Sequence, residues 1–244
     1  MAQVIPPRYT IQALAAWATV VALLFVLPDA RAAETRHLAP GFTSLPRNAT
    51  VVIMPTDIEL FVVSAGGVME PKADWTETAS KYFNAALAHK KTDLGVATVE
   101  LRDEDADDVA EINTLHAAIA RAIQLHHFGP SFLKLPTKHG KLDWSLGEPA
   151  RLLKQKTGAD YALFSWVRDS YASIERIATT IGLAILGVGI FPGAMQTGYA
   201  SLVDLDTGRV VWFNRLIRLT GDLRQPERAA ETVDTLLEHF PSVK

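Results

Sequence analysis

The 244-residue sequence has no cysteine. That excludes disulfides, a thiolate nucleophile, thiolate-bound zinc and cysteine-ligated iron–sulfur clusters, and it leaves no thiol at risk in an oxidising compartment. An excess of positive charge is also missing. The 24 Lys and Arg stand against 27 Asp and Glu, a net charge of -3, so nothing electrostatic points to nucleic acid as a partner. The short motifs of catalysis are absent too: there is no G-x-S-x-G elbow, no G-x-x-x-x-G-K-[ST] loop and no H-E-x-x-H. Gly187-Val188-Gly189 is followed by Pro192 where a dinucleotide fingerprint carries glycine. No cofactor is expected. What remains is a chain with 48% hydrophobic and 21% charged residues, globular proportions that suffice for a packed core.

The first 32 residues have a pattern of their own. Arg8 is the only charge before Asp29, and an apolar run from Ala13 to Leu27 leads to Pro28 and the small-residue triplet Ala30-Arg31-Ala32. A positive start, an apolar middle and A-x-A define a secretory signal peptide, so residues 1–32 are expected to be removed after Ala32 and the mature protein to be exported, periplasmic or bound at the envelope membrane. An uncleaved anchor helix is the alternative. No cysteine is available for lipidation at the cleavage site. Residues 33–47 form a polar, proline-containing lead-in.

From residue 48 the pattern is that of one α/β domain. Thr50–Met54 and Ile58–Val63 are β-branched runs around Pro55, either two strands or one interrupted strand. Gly66-Gly67 marks a tight turn. Asp74 to Glu77 has the form of a helix start, after which Trp75, Ala79, Tyr82, Phe83, Ala86 and Leu87 share a helical face. Val96–Leu101 is a strand. Asp103 to Asp108 opens a second helix running to about His127, with Val109, Ile112, Leu115, Ile119 and Ile123 inward. Ser145 to Glu148 reads as a capping box ahead of Pro149, for a helix that stops at Gly158. Tyr161–Val167 is a strong strand. Two β-rich runs flank Asp206-Thr207-Gly208-Arg209, a hairpin signal, and a last helix opens at Pro226 with Ala230, Val233, Leu237 and Phe240 on one side. The expected class is α/β: one mixed, partly antiparallel sheet with helices packed on it, closed by a β-hairpin and a helix.

The polar clusters have structural explanations. An EF-hand starting at Asp103 needs glycine at its sixth position and glutamate at its twelfth, but Asp108 and Thr114 stand there. The acids fit a helix's first turn and a solvated face instead. His126 and His127 are adjacent and diverge by about 100° on a helix, and His116 is three turns away, so no metal site is expected and the two read as partly exposed helix-end histidines. Ser64 before Gly66-Gly67 lacks a nucleophile's strand–turn–helix setting. Trp75, Trp144, Trp166 and Trp212 read as packing residues, with one face of Trp212, beside Asn214, open.

The order of strands and helices, the run from Ser201 to Asn214 and the helix after Gly221 together resemble the bacterial envelope α/β domains of the curli-secretion-channel type. The amino-terminal domain of TolB and the lipoprotein activators of penicillin-binding proteins are similar. The resemblance spans about residues 50–240 and implies a binding or assembly role, while the missing lipidated cysteine argues against anchoring by lipid.

The segment from Ile177 to Val203 carries no charge. Within it, residues 177–196 read as an apolar, glycine-rich insertion in the domain of residues 48–244. Three readings fit. A transmembrane helix needs about 20 apolar residues, but Gly182, Gly187, Gly189, Pro192 and Gly193 weaken a helix, and one crossing would separate the hairpin from its sheet. A buried core segment uses the glycines for close packing. An exposed excursion is a contact surface. The expectation is the last, with Ile181, Leu183, Ile185, Leu186, Val188, Ile190, Phe191 and Met195 touching a membrane surface or an envelope partner chain, and a homo-oligomer among the possibilities. A hydrolase assembled from sequence-distant acids and histidines, and a purely structural periplasmic domain, are the alternatives.

Overall fold

The computed structural model describes residues 36–185 and 195–244, and the expected signal peptide lies outside the described residues. Seven strands form one mixed sheet. They are β1 (Thr50–Ile53), β2 (Asp57–Val63), β3 (Met69–Pro71), β4 (Ala97–Glu100), β5 (Tyr161–Ala172), β6 (Met195–Asp204) and β7 (Val210–Arg218). The helices are α1 (Ala73–Asp93), α2 (Ala110–His126), α3 (Ala150–Thr157), α4 (Ile174–Ile185) and α5 (Pro226–Leu236).

The twelve-residue β5 organises the sheet. Its first half pairs in parallel with β1 (Val51↔Tyr161 to Ile53↔Leu163) and its second half with β2 (Asp57↔Trp166 to Val63↔Ala172). The run around Pro55 is thus two strands on one edge. Pro55 has no N–H for a ladder, and the break is stitched by the hydroxyls of Thr56 and Ser165, 2.7 Å apart. Along its other edge β5 pairs antiparallel with β6 through ten residues, and β6 pairs with β7. Parallel β4 lies beside β1 and antiparallel β3 beside β2.

Alternation along the strands divides the core in two. On one face Leu60, Leu163, Val167, Leu202 and Trp212 meet Ala79, Phe83 and Leu87 of α1 and Ala229, Val233 and Leu236 of α5. On the other, Val52, Ala162, Phe164, Tyr199 and Phe213 meet Ile112, Ala120 and Ile123 of α2 and Ala150 and Leu153 of α3. The mixed sheet between helices is the architecture expected from the sequence.

Several local expectations change. The lead-in belongs to the packed unit from Arg36 onward: Leu45 is fully buried, and Ala39 and Phe213 exchange backbone hydrogen bonds with Val211 and His37. Leu38, Phe42 and Leu45 supply enough apolar surface to dock a stretch that prolines disguise. α1 begins at Ala73 without a side-chain cap, and Asp74 sits in its first turn as a charge facing the helix dipole. The capping box at Ser145 does not form, because Ser145 Oγ accepts from Gly147 N and the segment bridges to Arg209 instead. Trp212 and Asn214 are both buried. The hairpin forms as expected: Asp204 Oδ1 accepts from the amides of Asp206 and Thr207, both at 2.9 Å, and Gly208 sits at φ +69°.

Candidate contact surface

The site grows out of the far ends of the central strands. Where β5 ends, Ser173 Oγ accepts from the amide of Arg176 at 3.1 Å, an N-cap that starts α4. Inside α4, Arg176, Thr180 and Leu183 follow at spacings of four and three and are half-buried, and Arg176 Nη1 donates to Ser64 O at 3.4 Å in the β2–β3 turn. Ile174, Ile177, Ile181 and Ile185 occupy the opposite stripe, at spacings of three, four and four. Their exposures are 82%, 49%, 56% and 80%, and α4 has no buried residue. A surface helix normally turns its apolar stripe to the core, whereas α4 turns it outward.

The rest of this end of the sheet is apolar as well. The register runs Met69↔Val63, Val63↔Ala172, Ser170↔Met195 and Gln196↔Arg218, which brings the β2–β3 turn, the end of β5, the start of β6 and the end of β7 into one row. Of the eleven large apolar side chains exposed among the described residues, nine lie at this pole: the four isoleucines of α4 with Val68, Met69, Met195, Ile217 and Leu219. Only Leu125 and Phe132 stand elsewhere. Scattered exposed apolar residues need no explanation, but a contiguous group does.

A buried polar network anchors the foot of this pole. Asp169 on β5 accepts from Tyr171 Oη at 2.6 Å, Gln196 Nε2 at 2.8 Å and Leu223 N at 3.3 Å. Gln196 Oε1 in turn accepts from Arg218 Nε at 2.8 Å and Thr232 Oγ1 at 3.1 Å. Arg224 lies 3.9 Å from the Tyr171 ring centroid and 4.4 Å from that of Trp75, with Asp222 holding its guanidinium at both ends. Burial pushes the Asp169 carboxyl above its ordinary range, against the hydrogen bonds it accepts, and burial beside Asp169 pushes the Tyr171 phenol up. The network closes the β5, β6 and β7 ends over α1 and α5.

Of the expected contact residues, Ile181, Ile185 and Met195 are exposed and Leu183 is half-buried toward the domain. Leu186, Val188, Ile190 and Phe191 lie outside the described residues. The buried-core reading does not hold for the described part of the segment. A single membrane crossing is excluded, because β6 returns beside β5 in ten-residue register. The twelve residues of α4 rise about 18 Å, and among the described residues no helix is long and apolar enough to cross a membrane. Val68, Met69, Ile174, Ile177, Ile217 and Leu219 are not among the residues expected from sequence. Ile174 was cut off by Glu175 and Arg176, which end the uncharged run although the isoleucine spacing passes straight through them.

The catalytic candidates are structural. His116 Nε2 meets Ser201 Oγ at 2.6 Å, the distance of a base and its nucleophile, but both are buried under α2 and the imidazole stacks on Phe164 at 3.8 Å. Burial pulls its pKa down to about 3. His127, expected at a partly exposed helix end, is buried, with Nε2 bonded to Arg36 O at 2.9 Å. Within the acidic run, Asp105 is not on a solvated face: it is buried under Arg102 at 2.7 Å and Lys156 at 3.2 Å. A hollow lined by Asp160, Asp204 and Asp206 has its carboxylates engaged by Thr50 N, by the turn amides and by Lys154. Among the described residues no cluster of histidines and acids has metal-binding geometry.

No family model and no curated protein matches this chain. Among solved structures it is similar to the PelC dodecamer from Paraburkholderia phytofirmans, with 13% identity over 84% of this chain and 95% of that one and a TM-score of 0.32. It is similar also to lipoprotein GNA1162 from Neisseria meningitidis, with 16% identity over 69% and 81% of the two chains and a TM-score of 0.30. The third is the LpoB C-terminal domain from Escherichia coli, with 13% identity over 74% and 87% and a TM-score of 0.29. At these identities and scores the likenesses carry no argument about this chain's function.

Proposed function

We propose that this is an exported, non-catalytic protein of the cell envelope that binds or assembles through its apolar pole, against a membrane surface or a partner chain, a second copy included. The observation that supports this reading is the inverted α4. Four isoleucines on one stripe face water while Arg176, Thr180 and Leu183 face the domain, and five further exposed apolar residues share their end of the sheet. Hiding each isoleucine on contact contributes about 1–2 kcal/mol. The amino-terminal pattern of Arg8, the apolar run and Ala30-Arg31-Ala32 supports export.

The test compares the protein with a variant in which residues 177–194 are replaced by a short Gly/Ser linker. The expected outcome is that the parent floats with liposomes or sediments as an oligomer, and that the folded variant is a monomer left in the aqueous phase. A parent that is monomeric and ignores vesicles, with a variant that unfolds, refutes the reading.

A further inference from the structure

Away from the pole, beside the β7 edge, basic groups gather around one aromatic ring. The guanidinium of Arg36 lies 4.8 Å from the Phe128 ring centroid, and that of Arg215 lies 5.5 Å from it. Arg36 donates to Phe128 O at 3.4 Å. Arg215 is half-buried, and burial and then the charge of Arg36 both press its pKa down. His37 stacks on His239 at 4.7 Å, and His239 holds a positive φ of 61° to do so, a conformation uncommon for any residue but glycine. His37 Nδ1 donates to Phe213 O at 3.0 Å.

The charged groups that act on these histidines are basic ones. The charges acting on His37 come from His239, Arg36 and His127, and those on His127 come from Arg36 and Lys134. Among the described residues neither arginine is ion-paired to a carboxylate, although seven arginine–carboxylate pairs exist elsewhere, including those of Arg168 with Asp57 and Glu59 on the same face of the sheet. Two like charges held on one ring, one of them half-desolvated, are destabilising unless an anion joins them.

We propose that Arg36 and Arg215, over the ring of Phe128, form a binding site for a phosphate-bearing anion. The planar guanidinium fork matches the oxygens of a phosphate, and two forks share a group with three or more acceptors better than a single carboxylate. The stacked rings of His37 and His239 lie at its rim, beside Arg36. The phosphate is either free in solution or the headgroup of a phospholipid, and the inference does not depend on the apolar pole.

The experiment titrates the full chain with inorganic phosphate against sodium chloride of equal ionic strength, following the histidine ring signals by NMR. In parallel, the chain is pelleted with vesicles of phosphatidic acid and of phosphatidylcholine. Arg36→Gln and Arg215→Gln are carried through both arms, with Arg215→Lys keeping the charge but not the fork. Saturable phosphate shifts at His37, weakened about tenfold by either Gln variant, support the site with a diffusible ligand. Indifference to inorganic phosphate, with pelleting on phosphatidic acid alone that either Gln variant abolishes, supports a headgroup. Binding to both vesicle types that the Gln variants leave intact is pole binding and overturns the site. Silence in both arms overturns it too. Arg36 is exposed, so Arg36→Gln keeps the test valid if Arg215→Gln fails to fold.

Discussion

Replacing Ile177, Ile181 and Ile185 together by glutamine separates a contact surface from a core. In the folded protein these side chains are 49%, 56% and 80% exposed, so little packing is lost. Glutamine forms helix at least as well as isoleucine, and exposed substitutions usually stay within about 0.5 kcal/mol each. At about 2–4 °C per kcal/mol for a domain of this size, the melting temperature is expected to move by no more than about 5 °C. Were the stripe core, each change would remove a buried side chain and bury an amide, costing about 2–3 kcal/mol or more. Three such changes consume most of a stability of about 5–15 kcal/mol. On the contact side, three partly exposed isoleucines losing about 1–2 kcal/mol each weaken association at least about a hundredfold. Calorimetry gives the first number; liposome flotation and sedimentation equilibrium give the second. A melting temperature lowered by more than about 10 °C, or association unchanged in a folded variant, refutes the reasoning.

Three further outcomes follow from the interior. His116 stays neutral in the fold down to about pH 3 but takes a proton near 6.5 when unfolded, so stability falls as pH drops below 6.5, by up to about 1.4 kcal/mol per unit; His116→Gln is expected to lose that acid sensitivity in urea titrations at pH 7 and pH 5, and an unchanged sensitivity contradicts the assignment. The Asp169 carboxyl binds its proton above the ordinary 3.8 in the fold, so its ionisation costs stability as pH rises through that raised value. Asp169→Asn should flatten this dependence, whereas Asp169→Ala leaves the Tyr171 and Gln196 donors without this acceptor and should cost about 2–4 kcal/mol by denaturant titration. A Cβ on Gly208 would stand 2.3 Å from Gly147 O at a φ of +69°, so Gly208→Ala is expected to cost more than about 2 kcal/mol; a thermal melt equal to the parent's would show that the loop yields freely.

Elements with strong local periodicity could be read from sequence. The β6–β7 hairpin was legible because Gly208 sits between two β-rich runs, and α1 because Ala79, Phe83 and Leu87 repeat with the helical period. Features decided by distant partners were not. Ser145 had the letters of a cap but is drawn into a bridge with Arg209, sixty-four positions on. Asp105 looked solvated until Lys156 arrived from α3. His127 reads like His126, yet one ring packs inside and the other stays at the margin, since neighbours on a helix point about 100° apart. The uncharged run begins at Ile177, so counting charges obscured the isoleucine spacing that begins at Ile174. Which way that stripe faces depends on Arg176 reaching Ser64 across the sheet end, a contact that no local pattern announces.

The first and last stretches of the packed unit complete each other. Leu45 N donates to Ser242 O and Lys244 N donates to Leu45 O, each at 2.9 Å, and Leu45 is fully buried beneath that clasp. The segment around Leu45 therefore waits for residues 242–244 before it can settle, and closing a loop of nearly the whole domain is slow. Removing residues 242–244 would release the strap around Leu45 with them, so a change at one end of the packed unit is felt at the other.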